Sequence, residues 1–129
     1  MKREIEKKEE PDILNRSFQF AVRIVKLCGY LDRTGGVCRI LMPQILRAAT
    51  SVVSNIEEAQ AGQSRADFIA KMGIALREAR ETHVRLRILA EAEMITNSRL
   101  GSITAEADEI KRILGSIVLS RRRRTETAA

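Results

Sequence analysis

The chain has no tryptophan, one histidine, two cysteines and two prolines among its 129 residues. Each scarcity closes off a class of function. A ferritin-like pair of metal ions needs a Glu-x-x-His pair on each of two helices, and one histidine cannot serve both. Glu81 and His83, two positions apart, cannot share a helix face. Neither Cys28 nor Cys38 has a histidine near it in sequence, which argues against a Cys-His nucleophile, and no zinc-ligand spacing exists. Gly35-Gly36 lacks the Lys-Ser/Thr that a phosphate-cradling loop requires. No apolar run approaches membrane-spanning length. The residues therefore offer no catalytic set, cofactor site or metal site, and the chain reads as non-enzymatic. The N-terminal MKREIEKKEE has neither an apolar core nor a cleavage pattern, so the expectation is a cytoplasmic protein with reduced, packing cysteines.

The four aromatic residues (Phe18, Phe20, Tyr30, Phe68) are too few to fill a core, which must be aliphatic, and they leave little surface for stacking on bases. What is abundant is helix formers and charge. The hydrophobic fraction of 44% suits one folded domain, and proline is nearly absent from the interior of the pattern. The formal net charge is +6, and arginine outnumbers lysine. Arginine's planar fork suits phosphate or carboxylate, so the balance favours a polyanionic partner, RNA or DNA.

Four apolar patterns of helical period follow one another. Leu14, Phe18, Ala21, Val25 and Cys28 make one stripe of the first, and Phe20, Ile24, Leu27 and Leu31 a second. A helix with two stripes is either deep in a bundle or also meets another subunit. Asp12 is its expected cap and Thr34-Gly35-Gly36 its stop. The second pattern uses Ile45, Ala49, Val52, Ile56 and Ala59, flanked by Leu46 and Val53. Pro43 is expected in its first turn; a start near Val37 would place the proline inside the helix. The third runs from near Arg65 to near Glu93 on Phe68, Met72, Ala75, Ala79, Thr82, Leu86 and Leu89, with Ile69, Leu76, His83 and Ala90 beside them and Ser64 as cap. The fourth uses Leu100, Ile103, Ala107, Ile110, Leu114 and Ile117 after a Thr96-Asn97-Ser98 turn. Four helices with short links predict an all-α, antiparallel up-down-up-down bundle over residues 13–120. A charged lead, 1–12, precedes it, and a basic disordered tail, 121–129, follows.

The central hairpin resembles a known family. Gln44, Arg47-Ala48, Ser51, Asn55-Ile56 and Glu58, then Ser64, Asp67-Phe68-Ile69, Ile74-Ala75, Glu78 and Glu81-Thr82, are similar to the four-helix-bundle proteins encoded in intervening sequences of bacterial large-subunit rRNA genes. The likeness covers about Arg16 to about Leu119. The run Glu57-Glu58-Ala59-Gln60 followed by Ser64-Arg65-Ala66-Asp67-Phe68-Ile69 is close to one branch. That branch often has aromatics after the Glu-Thr of the third helix, where this chain has His83-Val84-Arg85. Ile110 to Ser116 is more distantly similar to the end of the accessory variability protein of diversity-generating retroelements. The resemblance implies a left-handed bundle assembling into a homo-oligomeric ring, a pentamer in relatives, and through the retroelement protein a reverse transcriptase or RNA partner. It also implies that Asn55 and Glu58 belong to the family's signature.

Candidate phosphate-binding residues are Arg16 and Arg23 on the first helix, Arg77, Arg80, Arg85 and Arg87 on the third, and Arg121, Arg122, Arg123 and Arg124 at the end. Some of them are expected to be neutralised by Glu57, Glu78, Glu81 or Glu91. Ser51, Asn55 and Glu58 form a polar row whose expected partners are Arg47, Arg77 or Arg80. His83 is expected to pack or to meet another subunit. A protein-interaction scaffold without nucleic-acid affinity is the alternative function.

Overall fold

A computed structural model describes residues 12–34 and 36–128. Four helices account for nearly all of them: α1 Ile13–Thr34, α2 Val37–Ala61, α3 Arg65–Glu91 and α4 Asn97–Ala128. α1 packs on α2, α2 on α3, α3 on α4, and α4 returns to α1. Side-chain pairs fix the directions. Arg16 meets Glu106 while Arg23 meets Ser102, so α1 and α4 run opposite ways. Glu58 meets Lys71 while Arg47 meets Glu78, so α2 and α3 do too. The result is the antiparallel all-α bundle that the four patterns predict.

The ends of the helices follow local chemistry. Asp12 Oδ1 accepts from the Asn15 N–H at 3.0 Å, and Ser64 Oγ accepts from the Asp67 N–H at 3.0 Å, each satisfying an amide that the first turn leaves open. The Asp67 side chain folds over Gly62 in the α2–α3 turn. Gly36, at φ 64°, starts α2 from the left-handed region. α3 ends two residues before its expected limit. Glu93, at φ 59°, turns the chain left-handed, the Glu93 N–H reaches Ala90 O at 3.1 Å and the Met94 N–H reaches Leu89 O at 3.1 Å. These are the two bonds of a Schellman closure.

The apolar stripes become the core. Ile24 and Leu31 of α1, Ile45, Val52 and Ile56 of α2, Met72, Leu86 and Leu89 of α3, and Leu100, Ile110 and Leu114 of α4 are all sealed from solvent. Ala48, Ala49, Ala59, Ala75 and Ala79 are buried with them, and their small side chains let α2 and α3 approach closely. The first stripe of α1 divides. Ala21 and Cys28 are buried, whereas Phe18 and Val25 are 53% and 52% exposed.

Two expectations are corrected. α2 begins at Val37, so Pro43 lies inside the helix, not in its first turn. Proline there removes one backbone hydrogen bond and costs about 3 kcal/mol. Cys38 is buried and Leu41 and Met42 pack on the core ahead of it, which offsets that cost. The tail expected at 121–129 is helix as far as Ala128, continuous with α4. Arginine is a good helix former, and the run Arg121 to Arg124 carries α4 onward. The Arg121 guanidinium also covers the Phe68 ring, 4.5 Å from its centroid, tying the extension to α3. Of the charged lead, only Asp12 lies within the described residues.

Leu86 is fully buried and Leu119 is half exposed. Leu86→Ala should therefore cost about 3 kcal/mol in urea unfolding, and Leu119→Ala less than about 0.5 kcal/mol.

Candidate nucleic-acid interface

The arginines singled out from sequence separate into spent and available charges. Arg16 grips Glu106 with both arms of its fork, Nε at 2.9 Å and Nη2 at 2.8 Å, in a partly buried pair across α1 and α4. That contact holds the Arg16 guanidinium above its ordinary pKa, the Glu106 hydrogen bond contributing most. Arg85 donates through Nη1 to Glu81 at 3.2 Å and through Nε to Gln44 Oε1 at 3.2 Å. Arg47 joins the same seam, reaching Glu78 at 3.4 Å and Glu81 at 3.2 Å. Arg16 and Arg85 are thus structural cross-links. Arg23 meets only a neutral group, donating to Ser102 Oγ at 2.9 Å.

The polar row of α2 also differs from expectation. The Asn55 amide donates to Ser51 O at 2.8 Å and Ser51 Oγ at 3.0 Å, within its own helix. Glu58 pairs with Lys71 at 2.9 Å. Neither reaches Arg47, Arg77 or Arg80, because α3 presents Lys71 opposite Glu58 and Glu78 opposite Arg47. Of the glutamates expected to neutralise candidate arginines (Glu57, Glu78, Glu81, Glu91), Glu81 does so, at Arg85, while Glu78 pairs with Arg47.

Four further cations gather on one groove between α3 and α4, enclosing about 490 Å³. Arg80, His83 and Arg87 line it from α3, and Lys111, Arg112 and Gly115 from α4. Gly73, Leu76, Arg80, His83 and Arg87 succeed one another in steps of three and four, one stripe beside the core stripe of α3. The Arg122 guanidinium lies over Gly73, extending the basic line toward the bundle end. From residue 73 to residue 87 the stripe runs about 21 Å. Gly115 lets the α4 wall stay low against Leu76.

One carboxylate faces these cations. Asp108 meets Lys111 at 3.0 Å and Arg112 at 2.8 Å, and those two hydrogen bonds hold its pKa below the usual carboxylate range. Arg80 and Arg87 have no acidic partner among the described residues and are exposed. His83 is mostly covered, its side chain 13% exposed. Burial, then the Lys111 charge, pushes its pKa below 6.5, against the pull of Asp108, so the imidazole is neutral at neutral pH. Arg77 is exposed but lies outside the groove. Arg121 and Arg124 line a different concavity, about 820 Å³, at the α2–α3 turn, together with Arg65, Phe68 and Ile117. Arg123 and Arg124 border a third, shallow one. The arginine candidates therefore do not form one site. Arg80 and Arg87 share a groove to which Lys111 and Arg112 contribute, two residues absent from the sequence candidates, and Arg122 stands beyond its end, over Gly73. Their signal was present: Asp108, Arg112, Gly115, Leu119 and Arg122 also follow steps of three and four.

Among the described residues no group of three or more His, Cys, Asp or Glu side chains comes together to hold a metal, and no helix is long and apolar enough to cross a membrane. Fold and site together define a basic antiparallel four-helix bundle with a cationic groove. Residues 9–116 match the family described as 23S rRNA-intervening sequence protein, and the chain belongs to that family. A solved neighbour is a protein with unknown function from the S23 ribosomal protein family of Bacteroides thetaiotaomicron VPI-5482. It is 44% identical, with a TM-score of 0.75, covering 82% of this chain and 97% of that one. No curated protein matches.

The α2–α3 seam carries its own test. Glu78 is buried while Arg47 is largely exposed. Arg47→Ala leaves a buried carboxylate without its cation; after discounting for solvent screening, unfolding in urea should show a loss of about 1–2 kcal/mol. The Glu81 pKa is lowered, chiefly by its Arg85 hydrogen bond. That contribution is complete above the ordinary carboxylate pKa and disappears as pH falls through the lowered one. Arg85→Ala should accordingly flatten the loss of stability on acidification.

Proposed function

We propose that this chain is a non-enzymatic, oligomeric accessory protein that binds nucleic acid, RNA or DNA, through phosphate contacts in the α3–α4 groove. The observation that carries this reading is the grouping of Arg80, Arg87, Lys111 and Arg112 on one groove whose lining holds no carboxylate, Asp108 standing beside it against Lys111 and Arg112. Elsewhere the seams match cation to anion. Here they do not, and a polyphosphate backbone is the counter-charge of matching length. The few aromatics, none of them in this groove, favour backbone contact over base stacking. The family's own description refers to an rRNA intervening sequence, which fits an RNA ligand. A reverse transcriptase or other RNA-processing enzyme is the protein partner this reading adds.

Self-association is part of the proposal. Phe18 and Val25 stand seven residues apart on one face of α1, each more than half exposed, and no fifth helix covers them among the described residues. A second copy of the chain is the occupant, and a ring, a pentamer by the family resemblance, would multiply weak phosphate contacts through avidity. The same stripe also favours the alternative, a protein-interaction scaffold with no affinity for nucleic acid.

Binding to duplex DNA and structured RNA across a salt series separates the two. Phosphate contact gives a straight log–log decline with a slope of about 0.9 per contact on B-form DNA, and Arg80→Ser with Arg87→Ser should reduce it by about 2. Absence of binding at low salt would leave the scaffold reading. The parallel replacement of Arg121 to Arg124 by Ser reports whether the helical extension contributes. For assembly, Phe18→Glu with Val25→Glu should convert the oligomer to monomer in light scattering while the circular dichroism stays helical.

A further inference from the structure

His83 is the chain's only histidine, and it sits in the floor of the basic groove. The charged groups facing it are Arg80 and Arg87 on its own helix and Asp108, Lys111 and Arg112 on α4. Lys111 Nζ lies 3.5 Å from His83 Nδ1. An ammonium can only donate, so Nδ1 is the unprotonated nitrogen and Nε2 carries the hydrogen. Nε2 in turn faces Asp108 Oδ1 at 3.8 Å, and the same oxygen holds Lys111 at 3.0 Å. The lysine is therefore tethered at two points, a carboxylate oxygen and a neutral imidazole nitrogen.

We infer that His83, Lys111 and Asp108 form a proton-linked phosphate subsite in the α3–α4 groove, one that captures a phosphodiester oxygen more tightly when the imidazole takes up a proton. The inference rests on the phosphate-binding reading of that groove. The chemistry follows from the two tethers. A proton taken from solvent onto Nδ1 removes the acceptor of the Lys111 ammonium and sets an N–H against it. Two cations cannot keep that contact, so Lys111 leaves toward the groove. The imidazolium stays beside Asp108 through Nε2, which neutralises the carboxylate that had restrained the lysine. One proton thus adds a charge and frees a second cation, both facing the ligand. A bound phosphodiester stabilises that arrangement, so proton and ligand promote one another's binding by the same factor.

The absence of any other histidine makes the test direct. Untagged protein is titrated with duplex DNA, whose phosphodiesters do not change charge between pH 5.5 and pH 8, at constant ionic strength. Affinity should rise on acidification by roughly tenfold, the increase falling between the imidazole pKa of the DNA-bound state and the lower one that burial and Lys111 impose on the free protein. His83→Gln should lose the rise, its affinity for DNA becoming independent of pH across the window. In the wild type, the single imidazole resonance should titrate below 6.5 when free and at a higher pH when DNA is bound. Binding that is independent of pH, or whose pH dependence survives in His83→Gln, overturns the subsite and leaves the groove reading standing. An imidazole pKa that does not move with DNA does the same. Failure to bind DNA at any pH overturns both.

Discussion

The close approach of four antiparallel helices around an aliphatic core is the constraint on which the rest of this structure depends. With almost no aromatic bulk available, the core is filled by Ile, Leu, Val and Met, and where α2 meets α3 by alanines buried to completion. Small residues bring the backbones together, and dispersion and apolar burial then act over a dense contact. The caps and the ion pairs across helices are arranged at the margins of that packing. The capping residues Asp12 and Ser64 and the positive-φ Gly36 start helices, and Glu93 with the Schellman closure stops α3, where the apolar stripes begin and run out.

The same packing sorts the charges. Side chains at the margins of a helix–helix contact are brought against the neighbouring helix, and selection for a stable seam pairs them. Arg16 with Glu106 and Arg47 with Glu78 and Glu81 are the result. The groove between α3 and α4 breaks this pattern. Asp108 is shared among Lys111, Arg112 and the neighbouring imidazole, while Arg80 and Arg87 have no acid opposite them among the described residues. Concentrated positive charge within one fold is costly through self-repulsion. Carrying His83 neutral in the midst of these cations lowers that cost in the free protein.

The helical extension past Leu119 illustrates how a local rule can be overridden. A run of four arginines reads as a solvated tail because like charges repel. In the fold, the run continues an established helix, so no new nucleus is needed, and each added residue gains a backbone hydrogen bond. Phe68, placed on α3 by the core periodicity, offers Arg121 a ring to cover. Pro43 is overridden in the same way, by the burial of Cys38 and the packing of Leu41 and Met42 one turn earlier.

The sequence by itself determined the four helices, their core faces and most of their limits. A stripe such as Met72, Ala75, Ala79, Thr82, Leu86 and Leu89 depends only on helical period and hydrophobicity, both local properties, and all six are buried. The tertiary structure alone decided which charges are free. Arg85 and Arg87 are alike in sequence, two positions apart on one helix. The turn between those positions points Arg85 at Glu81 and Gln44, and Arg87 at the open groove. Lys111 and Arg112 join the site for the same reason, since their proximity to His83 is set by the antiparallel register of α3 against α4. Register is fixed by how two apolar faces interlock over their whole length, a property of the pair that neither helix carries alone.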